Sequence, residues 1–201
     1  ILGQTRPAAS GRLPRTLGIT VQPTLETSRL RLRPYVLADA PDVQRLAGDF
    51  RVSDTTGNIP HPYPDGAAEQ WIGGHAASFR DKKRVTYAVT LRDTGQLIGA
   101  VSLLDIQAHH ARAELGYWIA VEHWKKGYCT EAVLRLIVFA NEAFGISRVV
   151  SRCLARNPAS ARVMEKAGLR REGLLPKDFQ KNGRYEDMVL YGVVLPGRDD
   201  A

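Results

Sequence analysis

The segment Glu114–Thr130, Glu-Leu-Gly-Tyr-Trp-Ile-Ala-Val-Glu-His-Trp-Lys-Lys-Gly-Tyr-Cys-Thr, constrains the fold most, because it runs straight into the amphipathic stretch Glu131–Phe144. It reads as a buried strand, a tight loop with its glycine at Gly127, and the first turn of a helix. Lys-Lys-Gly-Tyr-Cys-Thr leaves backbone N–H groups unpaired at that turn, and the helix dipole adds partial positive charge there. Such a place binds phosphate, and Lys125 and Lys126 bring full charges close to it. One glycine loop alone also fits an ordinary strand–loop–helix connection. The rest of the chain has to decide between the two.

Downstream, the strand candidate Arg148–Leu154 leads into Ala155-Arg-Asn-Pro-Ala-Ser-Ala-Arg-Val-Met-Glu-Lys-Ala-Gly-Leu169. Asn157 and Ser160 suit the start of a helix and Gly168 its stop. A third element, Asn182-Gly-Arg-Tyr-Glu-Asp-Met-Val-Leu-Tyr191, reads as a turn and a closing strand.

These three elements, in this order across Glu26 to Leu195, resemble the GNAT superfamily of acyl-CoA N-acyltransferases, and within it the RimJ/RimL-like branch. In the family, an Arg or Gln, a Gly and a Gly or Ala usually occupy the places held here by Trp124, Gly127 and Cys129. Trp124 and Cys129 depart from that pattern, although Cys is small. The resemblance implies an α/β fold: a mixed, mostly antiparallel sheet of about seven strands flanked by about four helices, splayed between its fourth and fifth strands. The pantetheine arm of acetyl-CoA lies in the gap. It further implies cofactor contacts from Ile119, Ala120 and Val121, from the loop residues Trp124, Lys125, Lys126, Gly127, Tyr128, Cys129 and Thr130, and from Asn157 and Ser160. In the family the Asn bonds the pantetheine and the Ser sits near the thioester sulfur.

The implied reaction is acetyl transfer from acetyl-CoA to a primary amine by direct attack in a ternary complex. A neutral amine, a polarised thioester carbonyl and a proton for the departing thiolate are its needs. Glu114, on the fourth strand near the gap, leads as base, with Asp178 as runner-up one position out of the branch's register. The Tyr that many family members use as acid, seven residues after the Asn, is Met164 here. Ser160 takes that role in the RimJ/RimL-like reading, and Tyr191 is the alternative. Tyr185, Glu186 and Asp187 either shape the acceptor pocket or tie the last hairpin. Cys129, near the phosphates, is a filler of a small-residue slot, the rival reading being a reactive thiol.

Composition narrows the class. A chain of 201 residues with 44% hydrophobic and 24% charged content fits one globular domain, and this length buries roughly 70% of its unfolded surface. No apolar run approaches the roughly 18 residues of a membrane-spanning helix. Two cysteines, Cys129 and Cys153, lack metal or disulfide-framework spacing, so a reducing cytoplasm is expected. Adjacent His109 and His110 have no ligand partners at suitable spacing, and no metal is expected. The net charge of +7 includes +3 from Arg6, Arg12 and Arg15, in a stretch of 25 residues with no acid. Basic residues are otherwise dispersed, which argues against specific nucleic-acid binding.

Residues 1–23, rich in Pro, Gly, Ser and Arg, read as a flexible arm or leader. The absence of an initiator Met reads as a processed or truncated start, and the acid-free arginines also fit an organelle transit peptide. Residues 24–197 form the domain and 198–201 a tail. Arg29, Arg31 and Arg33 alternate with Leu30 and Leu32 in a half-buried strand, with a substrate clamp as the rival reading. Asp39 opens a first helix, Arg51–Pro64 is a loop that by the family resemblance borders the acceptor site, and Asp65 opens a second helix through Phe79. Val85–Leu91 and Leu97–Leu104 form a hairpin. The acceptor is expected to be a protein N-terminal α-amine. The alternatives are a small amine, such as a polyamine or aminoglycoside, or a non-catalytic acyl-CoA sensor. A monomer and a homodimer both remain open.

Overall fold

The computed structural model describes residues 19–196. Most of the arm and the tail 198–201 lie outside the described residues. Eight strands form one sheet: β1 (Leu25–Glu26), β2 (Leu30–Arg33), β3 (Val85–Leu91), β4 (Leu97–Gln107), β5 (Arg112–Ile119), β6 (Arg148–Leu154), β7 (Arg170–Lys181) and β8 (Arg184–Val194). Their spatial order is β1-β2-β3-β4-β5-β6-β8-β7. Every neighbouring pair is antiparallel except β5 and β6. The expected splay between a fourth and a fifth strand therefore falls between β5 and β6, because the two-residue β1 shifts the count.

Six helices accompany the sheet: α1 (Ala40–Ala47), α2 (Phe50–Thr55), α3 (Ala67–Gly73), α4 (His75–Arg80), α5 (Tyr128–Phe144) and α6 (Pro158–Lys166). Two differences from the sequence reading stand out. Part of the expected loop Arg51–Pro64 is helical, because Asp49 Oδ1 accepts the Arg51 backbone N–H at 2.8 Å and caps α2. The expected helix from Asp65 to Phe79 is two helices, starting at Ala67 and broken at Gly73-Gly74.

Strand alternation sends side chains to opposite faces of the sheet. On one face Leu30, Leu32, Tyr87, Val101, Leu103 and Leu115 pack against Leu136 and Ala140 of α5 and Met164 of α6. On the other, Ala88, Ala100 and Trp118 meet Val43 and Leu46 of α1 and Ile72 of α3. Arg29, Arg31 and Arg33 are each paired, with Glu131, Glu26 and Asp39. That is the half-buried strand with a solvated basic face, and none of the three lines a cavity described below.

Only Arg112–Glu114 pair with Arg148–Val150; beyond them β5 and β6 diverge. Ser151 Oγ reaches across to donate to the Leu115 carbonyl at 2.9 Å, and past that bond the gap is open. Leu115 and Ile119 both turn their carbonyls toward the β6 side, the latter accepting from Trp124 Nε1 at 2.6 Å. By the two-residue period of a strand, the Tyr117 backbone N–H and C=O face the gap as well.

Candidate active site

The gap opens into two cavities. The first, about 590 Å³, is bounded by the end of β5, the loop before α5, the first turns of α5 and α6, and the end of α2. The second, about 570 Å³, lies on the α1–α3 side. Thr55, Thr56, Tyr117, Trp118 and Ser160 line both, and so mark where the two meet.

The loop before α5 is built to present amides. Lys125 (φ 61°) and Gly127 (φ 82°) both adopt left-handed backbone, a reversal that starts the helix at Tyr128 with its first N–H groups facing the cleft. A brace from the other end of the chain holds the loop. Glu131 accepts from Thr27 Oγ1 at 2.6 Å, Ser28 Oγ at 3.1 Å, the Arg29 backbone N–H at 3.0 Å and Arg29 Nε at 2.7 Å. Burial alone would raise the Glu131 carboxyl, but those hydrogen bonds hold it below the usual range. Arg29 also donates to the Lys126 carbonyl at 2.9 Å and lies over the Tyr128 ring.

Among the expected cofactor residues, Ile119, Trp124, Lys125, Gly127, Tyr128, Cys129, Thr130, Asn157 and Ser160 line the first cavity. Ala120, Val121 and Lys126 do not. The Ala120 N–H is bonded back to the Ile98 carbonyl at 2.8 Å, the Val121 carbonyl accepts from Trp124 N, and Lys126 faces solvent. The strand edge that faces the gap is thus Leu115–Ile119, earlier along β5 than expected. Asn157 Oδ1 accepts from Ser160 N at 3.1 Å and caps α6, while its Nδ2 donates to the Thr55 carbonyl at 3.2 Å. One amide hydrogen of Asn157 remains for a ligand.

Sequence reasoning missed several lining residues. Arg162 and Lys166, one turn apart on α6, join Lys125 to give the cleft three cations and no carboxylate. Their spacing on an N-capped helix was the available signal. His123 lines the cleft too, with both ring nitrogens buried and unpartnered; burial, and then the Lys126 charge, lower its pKa. Burial pushes the Cys129 thiol up to about 12 despite its place at a helix start, which counts against a reactive thiol.

At the junction, Ser160 Oγ and Tyr117 Oη lie 2.9 Å apart, and Tyr117 also donates to the Ser160 carbonyl at 3.1 Å. Burial first, with Cys129 nearby, raises the Tyr117 pKa far above neutrality, so its phenol stays protonated. Met164, in the slot of the family's usual Tyr, is fully buried in the core. A phenol hydroxyl reaches the same neighbourhood from β5 instead.

Glu114 lines the second cavity but not the first, and accepts from Arg152 Nε at 3.2 Å. Asp178 lines neither. It sits in the bulged part of β7, where Lys177 has φ 54°, and reaches the same Arg152 at 3.5 Å. Tyr191 lines neither cavity as well: it is buried behind β6 with its hydroxyl on Glu165 at 3.2 Å. Tyr185, Glu186 and Asp187 stay outside the second cavity. Asp187 ties the last hairpin by accepting from Lys177 N at 2.9 Å, and Glu186 pairs with Arg156.

Arg156 and Lys181 strap α2 and the segment after it across the junction. Arg156 donates to Asp54 Oδ2 at 2.7 Å, and Lys181 Nζ to the Ile59 carbonyl at 2.9 Å. Among the described residues no group of three or more His, Cys, Asp or Glu is placed to hold a metal. None of the described helices is long and apolar enough to cross a membrane.

Residues 29–170 match the model of an acetyltransferase (GNAT) domain. The uncharacterized N-acetyltransferase YoaA of Bacillus subtilis (strain 168) is 31% identical over 174 residues, 87% of this chain and 98% of that one. The ribosomal-protein-serine acetyltransferase of Escherichia coli (strain K12) is 31% identical over 100 residues, 50% of this chain and 56% of that one. The crystal structure of spermidine N-acetyltransferase from Vibrio cholerae in complex with CoA and spermine superposes with a TM-score of 0.72 at 23% identity, covering 84% of this chain and 96% of that one. A splayed parallel pair, an amide-presenting helix start and these matches lead to one assignment: the chain belongs to the GNAT family of acetyltransferases.

Proposed function

We propose that this protein is a cytoplasmic acetyl-CoA-dependent N-acetyltransferase whose acceptor is the α-amine of a protein N-terminus. The observation that carries the reading is the meeting of two cavities at Ser160 and Tyr117. One is cationic and amide-lined, as a pyrophosphate requires, and the other is open to an acceptor.

The residues fit the co-substrate. The α5 amides from Tyr128 to Thr130, with Lys125, Arg162 and Lys166, would hold its phosphates. Asn157 and the β5 edge at Tyr117 and Ile119 would hold its pantetheine. Acetyl-CoA supplies an activated acyl group. The chain supplies orientation and proton transfer.

Glu114 would take a proton from the acceptor ammonium, directly or through water, before the freed amine attacks the thioester carbonyl, and the second amine proton would leave once the N–C bond has formed. Ser160, backed by Tyr117, would give a proton to sulfur as the C–S bond breaks. Asp178, which lines neither cavity, is the weaker base candidate. A covalent acyl-enzyme on Cys129 is disfavoured by its high pKa.

The likeness to the E. coli ribosomal-protein-serine acetyltransferase supports a protein α-amine. The likeness to the V. cholerae spermidine N-acetyltransferase favours a second reading, a small polyamine. A peptide pool with free and blocked N-termini, assayed by mass spectrometry beside spermidine and an aminoglycoside, separates them. Acetylation confined to free peptide α-amines is expected. Transfer to a small amine alone overturns the protein reading, and acetyl-CoA binding without transfer to any acceptor points to a sensor.

A further inference from the structure

The acceptor cavity carries an unusual charge balance for an enzyme that receives a protonated amine. Its lining includes three charged residues: Arg84, Arg152 and Glu114. Arg152 is engaged by Glu114 at 3.2 Å and Asp178 at 3.5 Å. Arg84 is exposed and has no carboxylate partner among the described residues. A polycation entering this cavity meets two guanidiniums and a single carboxylate already bonded to one of them. An acceptor with one amine and a separate anion meets a carboxylate near the junction and a free guanidinium beyond it.

The sheet register gives the separation. Arg84 precedes Val85, which pairs with Leu103, and Glu114 pairs with Leu104. Arg84 and Glu114 therefore sit on nearly one row, two strand spacings or about 10 Å apart. Tyr117, at the junction, lies three residues farther along β5, again about 10 Å. The diagonal from the junction to Arg84 is therefore about 14 Å between Cα atoms, and even after about 6 Å of arginine side chain it is too long for an amine and a carboxylate on one carbon. It suits a carboxylate on the second or third residue of an extended peptide, at roughly 3.3–3.6 Å of reach per residue.

We propose that Arg84 selects the acceptor, so that the preferred substrate is a peptide α-amine followed within two or three residues by an acidic side chain. This rests on the α-amine reading above and deepens it. The Tyr63, Trp71 and Phe179 rings in the same lining accommodate the intervening residues.

The test is a kcat/KM series on the full chain, using amidated peptides Ala-Glu-Ala-Ala and Ala-Ala-Glu-Ala with their Gln and Lys counterparts, and spermidine alongside. Glu peptides should exceed Gln peptides by about tenfold and Lys peptides by more. Raising the salt should narrow the gap. Arg84→Ala should erase the Glu preference and Arg84→Glu should invert it toward Lys, with circular dichroism confirming that both variants fold. Equal use of the three series, or a Glu preference that survives Arg84→Ala, overturns the role of Arg84 while leaving the α-amine reading intact. Turnover of spermidine with no peptide acetylated overturns that reading itself.

Discussion

The first cavity, proposed for the cofactor, and the second, proposed for the acceptor, meet at the same residues yet are made differently. The first is lined from the end of β5, the loop and helix start at α5, and α6, with three cations and no carboxylate. The second is lined from α1, α2, α3, α6, the segment after α2, and five of the strands, with charges of both signs. The amides of the helix start would serve the pyrophosphate that every acyl-CoA has in common. A side-chain surface can change its guest by substitution, without disturbing the fold.

The sharpest break between the two regions is at their junction. Ser160→Ala should lower kcat by about 10³-fold while leaving CoA affinity within a few-fold, and Tyr117→Phe should follow in the same direction. Presteady-state acetyl transfer checks both. Equal losses in kcat and CoA binding would move Ser160 into the cleft's holding role.

The acceptor side also carries an acid-sensitive group. His75, packed between Tyr35 and Trp71 with both ring nitrogens unpartnered, is held down at about 4 by burial, with Arg84 adding to the effect. An unfolded histidine titrates near 6.5. The unfolded chain therefore binds the extra proton first, and stability present above pH 6.5 is lost as pH falls toward 4, by up to about 3 kcal/mol. Denaturant unfolding of His75→Phe should show a flatter curve over that window. An unchanged slope would place the acid sensitivity elsewhere.

On the cofactor side, Gly127→Val forces a β-branched residue into φ 82°, with its Cβ 3.3 Å from an Arg29 nitrogen. CoA binding should weaken by about thirtyfold in calorimetry; unaltered affinity would refute the location of the cradle. Arg29→Ala removes the brace without touching the cleft lining, so CoA should bind about fivefold more weakly with kcat at saturation preserved. Arg29→Lys should restore only part, because it cannot serve Glu131 and the Lys126 carbonyl together.

The same contrast explains what was legible in the chain. Gly127, the helix start at Tyr128, the Asn157 cap and the stop at Gly168 are local devices, readable because backbone geometry demands particular residues at fixed spacings. The mixed sheet followed from the order of the elements, and its splay came only with the family resemblance those devices carry. Tyr117 could not be picked out, because its partner Ser160 is 43 residues away and only the divergence of β5 from β6 brings them together. Asp178 and Tyr191 lie close to the site in sequence pattern but turn away, the first in a bulge and the second into the core. The helical turn of α2 hid in a stretch rich in turn residues, because its cap, Asp49, was not recognised. Arg84 offered no signal at all until the register of β3, β4 and β5 set it beside Glu114.

The central claim is that acetyl transfer takes place where the two cavities meet. A crystal structure with a conjugate of CoA joined through its sulfur to the α-amine of an Ala-Glu-Ala-Ala peptide tests it most directly. The account predicts phosphates on the Tyr128–Thr130 amides, sulfur beside Ser160 and Tyr117, and the peptide running toward Arg84. Sulfur remote from Ser160, or a peptide leaving by any path outside the second cavity, would contradict it.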